Sequence, residues 1–182
     1  MKKDLSISMV DANRYAFFAV LPFIIPFCLL YIYIWGKGNF YIFYDISLTA
    51  ILISVIVVVL GFVVHEIIHG LTWQFFARKK SSLVKYGIDS KTLSPYAHCQ
   101  EPMRINPYRL GVIMPGILLG FLPTIAGIIT GNSPVFVFGL LFIVAAGGDI
   151  LILWLLRNIN AECLAEDHPT RVGCYIIDPK DK

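Results

Sequence analysis

Residues 63–70 read Val63-Val64-His65-Glu66-Ile67-Ile68-His69-Gly70, inside an apolar run extending from about Ile46 to Phe76. Between Ile51 and Val64 that run holds a single serine and a single glycine. A helix of about 20 apolar residues crosses a bilayer, so the run is expected to be a membrane span. On a helix His65 and His69, four residues apart, project from one face about one turn apart. That spacing lets both imidazoles bind one tetrahedral zinc at about 2.0–2.1 Å per nitrogen. Glu66, beside the first histidine, is the residue type that serves as general base in such a pattern. A charged group near the bilayer centre costs about 2.5–3.5 kcal/mol on insertion scales, so these side chains call for partners or a metal.

The rest of the chain reads as the same kind of molecule. Of 182 residues 57% are hydrophobic and 15% charged, against roughly 45–50% and about 25% in a soluble domain. Four runs are long enough to span: about 15–35, 46–76, 108–129 and 135–156. The expectation is an all-α polytopic membrane protein of about four transmembrane helices, forming a single domain over 1–182, with a small hairpin loop and a C-terminal tail on the cytoplasmic side. Trp35, Tyr41, Tyr44, Trp73, Tyr108 and Trp154 stand near run ends, where interfacial anchors belong.

Charge gives the topology. The net charge is +3, and Arg78, Lys79, Lys80, Lys85, Lys91, Arg104 and Arg109 fall in one stretch between the second and third runs. Lys2, Lys3 and Arg14 precede the first run and Arg157 follows the last. Positive-inside counting puts all of these in the cytoplasm, with both termini there. A nucleic-acid reader would interleave basic residues with aromatics on a soluble face, so no nucleic-acid partner is expected. Cys28, Cys99, Cys163 and Cys174 form no C-x-x-C pair and imply neither a disulfide framework nor a thiolate zinc site.

Catalytic zinc usually takes three protein ligands. Asp149, in Gly147-Gly148-Asp149-Ile150, is the formally charged side chain of the fourth run before Arg157. It lies eight residues before Arg157, and His69 lies nine before Arg78. At about 1.5 Å per residue the two share a depth. Ala145 to Gly148 are small enough to let another backbone approach. His98, in the loop, is a second candidate for the third ligand or for polarising a carbonyl. Val84–Ile88 and 94–100, separated by Asp89-Ser90-Lys91, suggest a short hairpin, whose free edge could accept an extended peptide. Asp167-His168-Pro169 reads as a helix cap or turn, with His168 near the metal as the other reading; Cys99 reads as a small buried side chain rather than a soft ligand, and Arg104 and Asn106 are further oxyanion candidates.

The pattern resembles site-2-type intramembrane zinc proteases, in which H-E-x-x-H on one membrane helix is completed by an aspartate from a later one. That resemblance implies His65, His69 and Asp149 as ligands and Glu66 as base. The family favours Asp-Gly after Asn-Pro, whereas Asp149 follows Gly-Gly and precedes Ile150. His65–Gly70, Pro95–Cys99, Gly148-Asp149 and Asp167–Pro169 resemble more closely a family of small bacterial membrane proteins described as putative zincin peptidases, over about residues 55 to 177. The expected function is a zinc metalloprotease of the bacterial plasma membrane, cutting a membrane or membrane-proximal polypeptide near the cytoplasmic face, with the lipid bilayer as its other partner. The alternative is a non-catalytic metal-binding membrane scaffold or regulator.

Overall fold

The computed structural model describes residues 2–39, 47–77, 84–88 and 95–179. The Ser8 side chain accepts the Asp11 N–H at 3.1 Å and so opens α1, Met9–Trp35, a continuous helix that carries Pro22 and Pro26. Ser47 caps α2, Leu48–Phe76, through the Ala50 N–H. Such caps satisfy donors that a helix start leaves without partners. β2, Val84–Ile88, and β3, Pro95–Cys99, form an antiparallel hairpin. The expected turn at Asp89-Ser90-Lys91 lies outside the described residues, as do Tyr41, Tyr44, Arg78, Lys79 and Lys80.

β4, Met103–Arg104, leads into α3, Ile105–Pro115, which passes through a π-helical turn, Gly116–Phe121, into α4, Leu122–Thr130. Pro115 and Pro123 stand on either side of the turn's first residues and its exit. Each withholds the N–H owed to the carbonyl four residues back, a local reason for the ladder to loosen there. Asn132 caps α5, Ser133–Ala145. The chain then bends by 46° at Ala146, whose φ of −76° and ψ of 9° lie outside the helical well, and continues as α6, Gly147–Leu156.

Met9–Trp35, Leu48–Phe76 and Ile105–Thr130 are each long and apolar enough to cross a membrane, and the bent pair α5–α6 makes a fourth if counted as one span. The first half of α2 turns Ile51, Leu52, Ile53, Val55, Ile56 and Val57 outward and leaves them exposed. A continuous apolar surface of that kind is stable against lipid rather than water. The first helix begins at Met9 rather than near Tyr15, because Ser8 supplies a cap that hydropathy does not register.

The all-α expectation is corrected. β1, Lys2–Ile7, β5, Leu164–Asp167, and β6, Val172–Ile177, join β4 in a four-stranded antiparallel sheet of order β1-β6-β5-β4. Its strands are short, and one ladder sets Lys2 opposite Ile177, far apart in the chain, so no local alternation announces the sheet. Gly173 has φ +126°, and a Cβ there would stand 2.3 Å from the Leu5 carbonyl oxygen; glycine is what lets β1 and β6 meet. The sheet closes one end of the helices through a core of Trp73, Ile105, Tyr108, Val112 and Leu156 against Ala165, Cys174 and Ile176. Trp73 and Tyr108 are therefore buried core residues rather than interfacial anchors. Trp154 does stand exposed, with the Arg157 guanidinium 4.2 Å from its ring centre.

Candidate metal centre

The buried face of α2 carries Gly61, His65, His69 and Trp73, at the four-residue interval that stacks side chains along one side of a helix. The imidazole centres of His65 and His69 are 4.9 Å apart. Asp149, on the first turn of α6, reaches both: Oδ2 lies 3.1 Å from His65 Nε2, and Oδ1 lies 3.5 Å from His69 Nε2. The bend at Ala146 and the lack of a side chain at Gly147 bring it there. Gly147 packs against α1, where a Cβ would meet Ala16 at 3.1 Å, while Gly148 faces open space.

A divalent cation fits this donor set. His69 Nδ1–H donates to the Gly111 carbonyl at 2.8 Å, which leaves the Nε2 lone pair directed toward Asp149. Among the described residues the buried side-chain polar atom without a partner is His65 Nδ1, one atom that belongs to this site. His65, Glu66 and His69 form a group whose potential ligand atoms lie within 4.8 Å of one another. Asp149 is not part of that group; its place in the site rests on its two imidazole contacts. Two imidazoles with a carboxylate suit zinc.

Glu66 does not stand free. Its Oε2 accepts the Ala97 N–H of β3 at 2.7 Å. Two residues along, the Cys99 N–H donates to Asp167 Oδ2 at 3.0 Å, and the Tyr108 hydroxyl donates to Oδ1 at 2.6 Å. The described donors on the outer edge of β3 are thus held by carboxylates, Glu66 of the site and Asp167 of the sheet. Burial pushes the Asp167 carboxyl up, opposed by the donors from Tyr108 and Cys99 and by the nearby His98. A column of rings ties Asp167 back to the histidines: His69 stacks on Trp73 at 5.6 Å and Trp73 on Tyr108 at 5.9 Å.

Between α2 and the hairpin lies a cavity of about 880 Å³, lined by Val59, Phe62, Val63, Ile67, Tyr86, Ile88, Pro95 and Tyr96, with His65 and Glu66 on its wall. Other sequence candidates fall elsewhere. His98 lies outside the His65–Glu66–His69 group, with Nδ1 3.5 Å from Asp167 Oδ2. Arg104 is exposed at the start of α3, and Asn106 accepts from Arg109. His168 serves the β5–β6 turn, its Nδ1 accepting the Thr170 and Arg171 N–H groups. Cys99 is buried. Cys174 is a core thiol that burial and Asp167 push up to about 12, which keeps it protonated and unreactive.

Sequence reading missed Gly111, Trp73, Tyr108, Ala97 and Asp167 as parts of the site. Ala97 and Gly111 act through main-chain atoms, which no residue type advertises. Asp167 ends β5, which pairs with β6 and with the distant β4.

A helical fold with several bilayer-length helices and an H-E-x-x-H group facing a second helix's carboxylate defines the class of zincin-like proteins with apolar helices. A family model described as "putative zincin peptidase" matches residues 58–164, and the chain belongs to that family. The match takes in α2 from Val58 onward, the hairpin and Asp149 but stops before Asp167 and His168, short of the tail that the sequence resemblance included. No curated protein and no solved structure matches the chain.

Proposed function

We propose that this protein is a membrane-embedded zinc metalloprotease, with His65, His69 and Asp149 as metal ligands and Glu66 as general base. The observation that carries this reading is the convergence of those side chains beside an apolar cavity that has His65 and Glu66 on its wall and the β2–β3 hairpin opposite. Zinc bound there supplies Lewis acidity and lowers the pKa of a water toward about 7. Glu66 is placed to take a proton from the attacking water and return it to the departing amine. Its hydrogen bond from Ala97 sets the carboxylate's position while the cavity is empty of substrate. The apolar wall keeps bulk water from the site and favours apolar side chains next to the bond that breaks.

The polypeptide substrate lies in or beside the membrane and is held in extended form along the outer edge of β3, by main-chain hydrogen bonds. An incoming carbonyl takes the Ala97 N–H as Glu66 releases it. Lys2, Lys3, Arg104, Arg157 and Arg171 lie at the sheet end of the helices, which supports, by positive-inside counting, a reading with that end and both termini on the cytoplasmic side of a bacterial plasma membrane. The arrangement is similar to that of site-2-type proteases.

Glu66→Gln tests the reading. It keeps the imidazoles and the carboxamide oxygen but removes the base. Zinc content should equal wild type, and cleavage should fall by about 10²–10⁴-fold. Full rescue of a deletion strain by the Glu66→Gln protein would mean a non-catalytic metal-binding scaffold instead.

A further inference from the structure

In an α-helix each carbonyl accepts the N–H of the residue four positions on. For Gly111 that residue is Pro115, within α3, and proline has no N–H to give. The Gly111 carbonyl therefore lacks its helical donor. His69 Nδ1 stands 2.8 Å from that oxygen. The approach is possible only because residue 111 is glycine: a Cβ there would lie 2.0 Å from Trp73 Nε1, one turn beyond His69 on α2. Gly111 and Pro115 are both buried, so water does not compete for the oxygen.

We propose that Pro115 is a positioning residue for the metal centre: by withholding an N–H it reserves the Gly111 carbonyl for His69 Nδ1–H. The bond fixes the His69 tautomer with its proton on Nδ1, turns Nε2 toward Asp149, and raises the basicity of that nitrogen. This rests on the reading of His69 as a metal ligand and adds the device that prepares it. Pro123 supplies an internal comparison. It too lacks an N–H and stands at the other end of the π-helical turn, but His69 is committed to Gly111 and His65 Nε2 to Asp149.

The test uses the full chain in detergent micelles, stripped of metal. Zinc is titrated against a competing chelator for wild type, Pro115→Ala and Pro123→Ala, and the melting temperature of each apo protein is recorded. A restored amide at 115 shares the carbonyl, so Pro115→Ala should weaken zinc binding by about tenfold or more. Its apo form should melt no lower than wild type, because an interior helix proline has gone. Pro123→Ala should bind as wild type does. Affinity loss without loss of apo stability is an outcome that a purely structural role would not give.

Unchanged affinity in folded Pro115→Ala overturns the proposal, and so does an equal loss in Pro123→Ala. Should Pro115→Ala melt early, the nitrogen-15 spectrum of zinc-loaded wild type decides. A slowly exchanging, hydrogen-bonded Nδ1–H on His69 sustains the proposal, and its absence overturns it. Wild type that binds no zinc, with His65→Ala indistinguishable from it, overturns the metal reading itself. Wild type that binds zinc while folded Pro115→Ala binds it equally overturns only the role of Pro115.

Discussion

At the scale of single residues, the two imidazoles of α2 do not define a metal site until a third group meets them. Asp149 touches both, at 3.1 and 3.5 Å, whereas the contact found for His98 is Asp167. Asp149→Ala should therefore lower the zinc content of purified protein, with affinity reduced by about tenfold or more, while His98→Ala retains near-stoichiometric metal. The measurement is elemental analysis after dialysis. Metal lost with His98 and kept without Asp149 would transfer the third position to the hairpin. The level of Asp149 was legible: residue counts to the basic edge of eight and nine put it close to that of His69. The hydrogen bond from His69 to the Gly111 carbonyl was not, since every residue carries a carbonyl and only packing selects one.

At the scale of elements, the hairpin is the part whose backbone matters more than its side chains. β3 presents the Ala97 N–H to Glu66 and the Cys99 N–H to Asp167, while Tyr96 contributes a ring to the cavity wall. Ala97→Pro deletes a hydrogen bond to a carboxylate, about 1.5–3 kcal/mol, and should slow cleavage by about ten- to a hundredfold. Tyr96→Ala should cost less than that. Equal losses in a peptide-cleavage assay would argue that the strand binds substrate through side chains. β2 was bounded by its sequence at Val84–Ile88, and β3, expected over 94–100, ends at Cys99, with residue 94 outside the described residues. What sequence could not supply was the strand's outer partner, because Glu66 and Asp167 come from α2 and β5.

At the scale of the whole molecule, β1 and β6 lie side by side with Lys2 opposite Ile177, so the strand before α1 and the strand after α6 share one face. Three helical spans and the bent pair α5–α6 connect them, an even number of crossings if the pair counts as one. In cells expressing single-cysteine variants, a membrane-impermeant maleimide should label Asn132→Cys from outside. It should label Lys3→Cys and Arg171→Cys only after lysis. Labelling of Lys3→Cys and Asn132→Cys from the same side would break the four-crossing arrangement. The sheet also locks α2, α3 and α6 at their ends through Trp73, Tyr108 and Leu156, which holds the histidine-bearing helix against the one that carries Gly111.

The sequence by itself determined the apolar spans, the pairing of His65 with His69 on one helix face, and the depth of Asp149. Each follows from a local quantity: hydropathy over about 20 residues, a period of about 3.6, or a rise of about 1.5 Å per residue. Only the tertiary structure decided that the tail is a sheet, that Trp73 and Tyr108 are core, and that Glu66 is held by Ala97. The tertiary structure also gave His69 its carbonyl, by setting Gly111 against α2 at the one turn where Pro115 leaves the oxygen without a helical donor. Those features depend on contacts between residues far apart in the chain, and such contacts leave no period in the sequence to read.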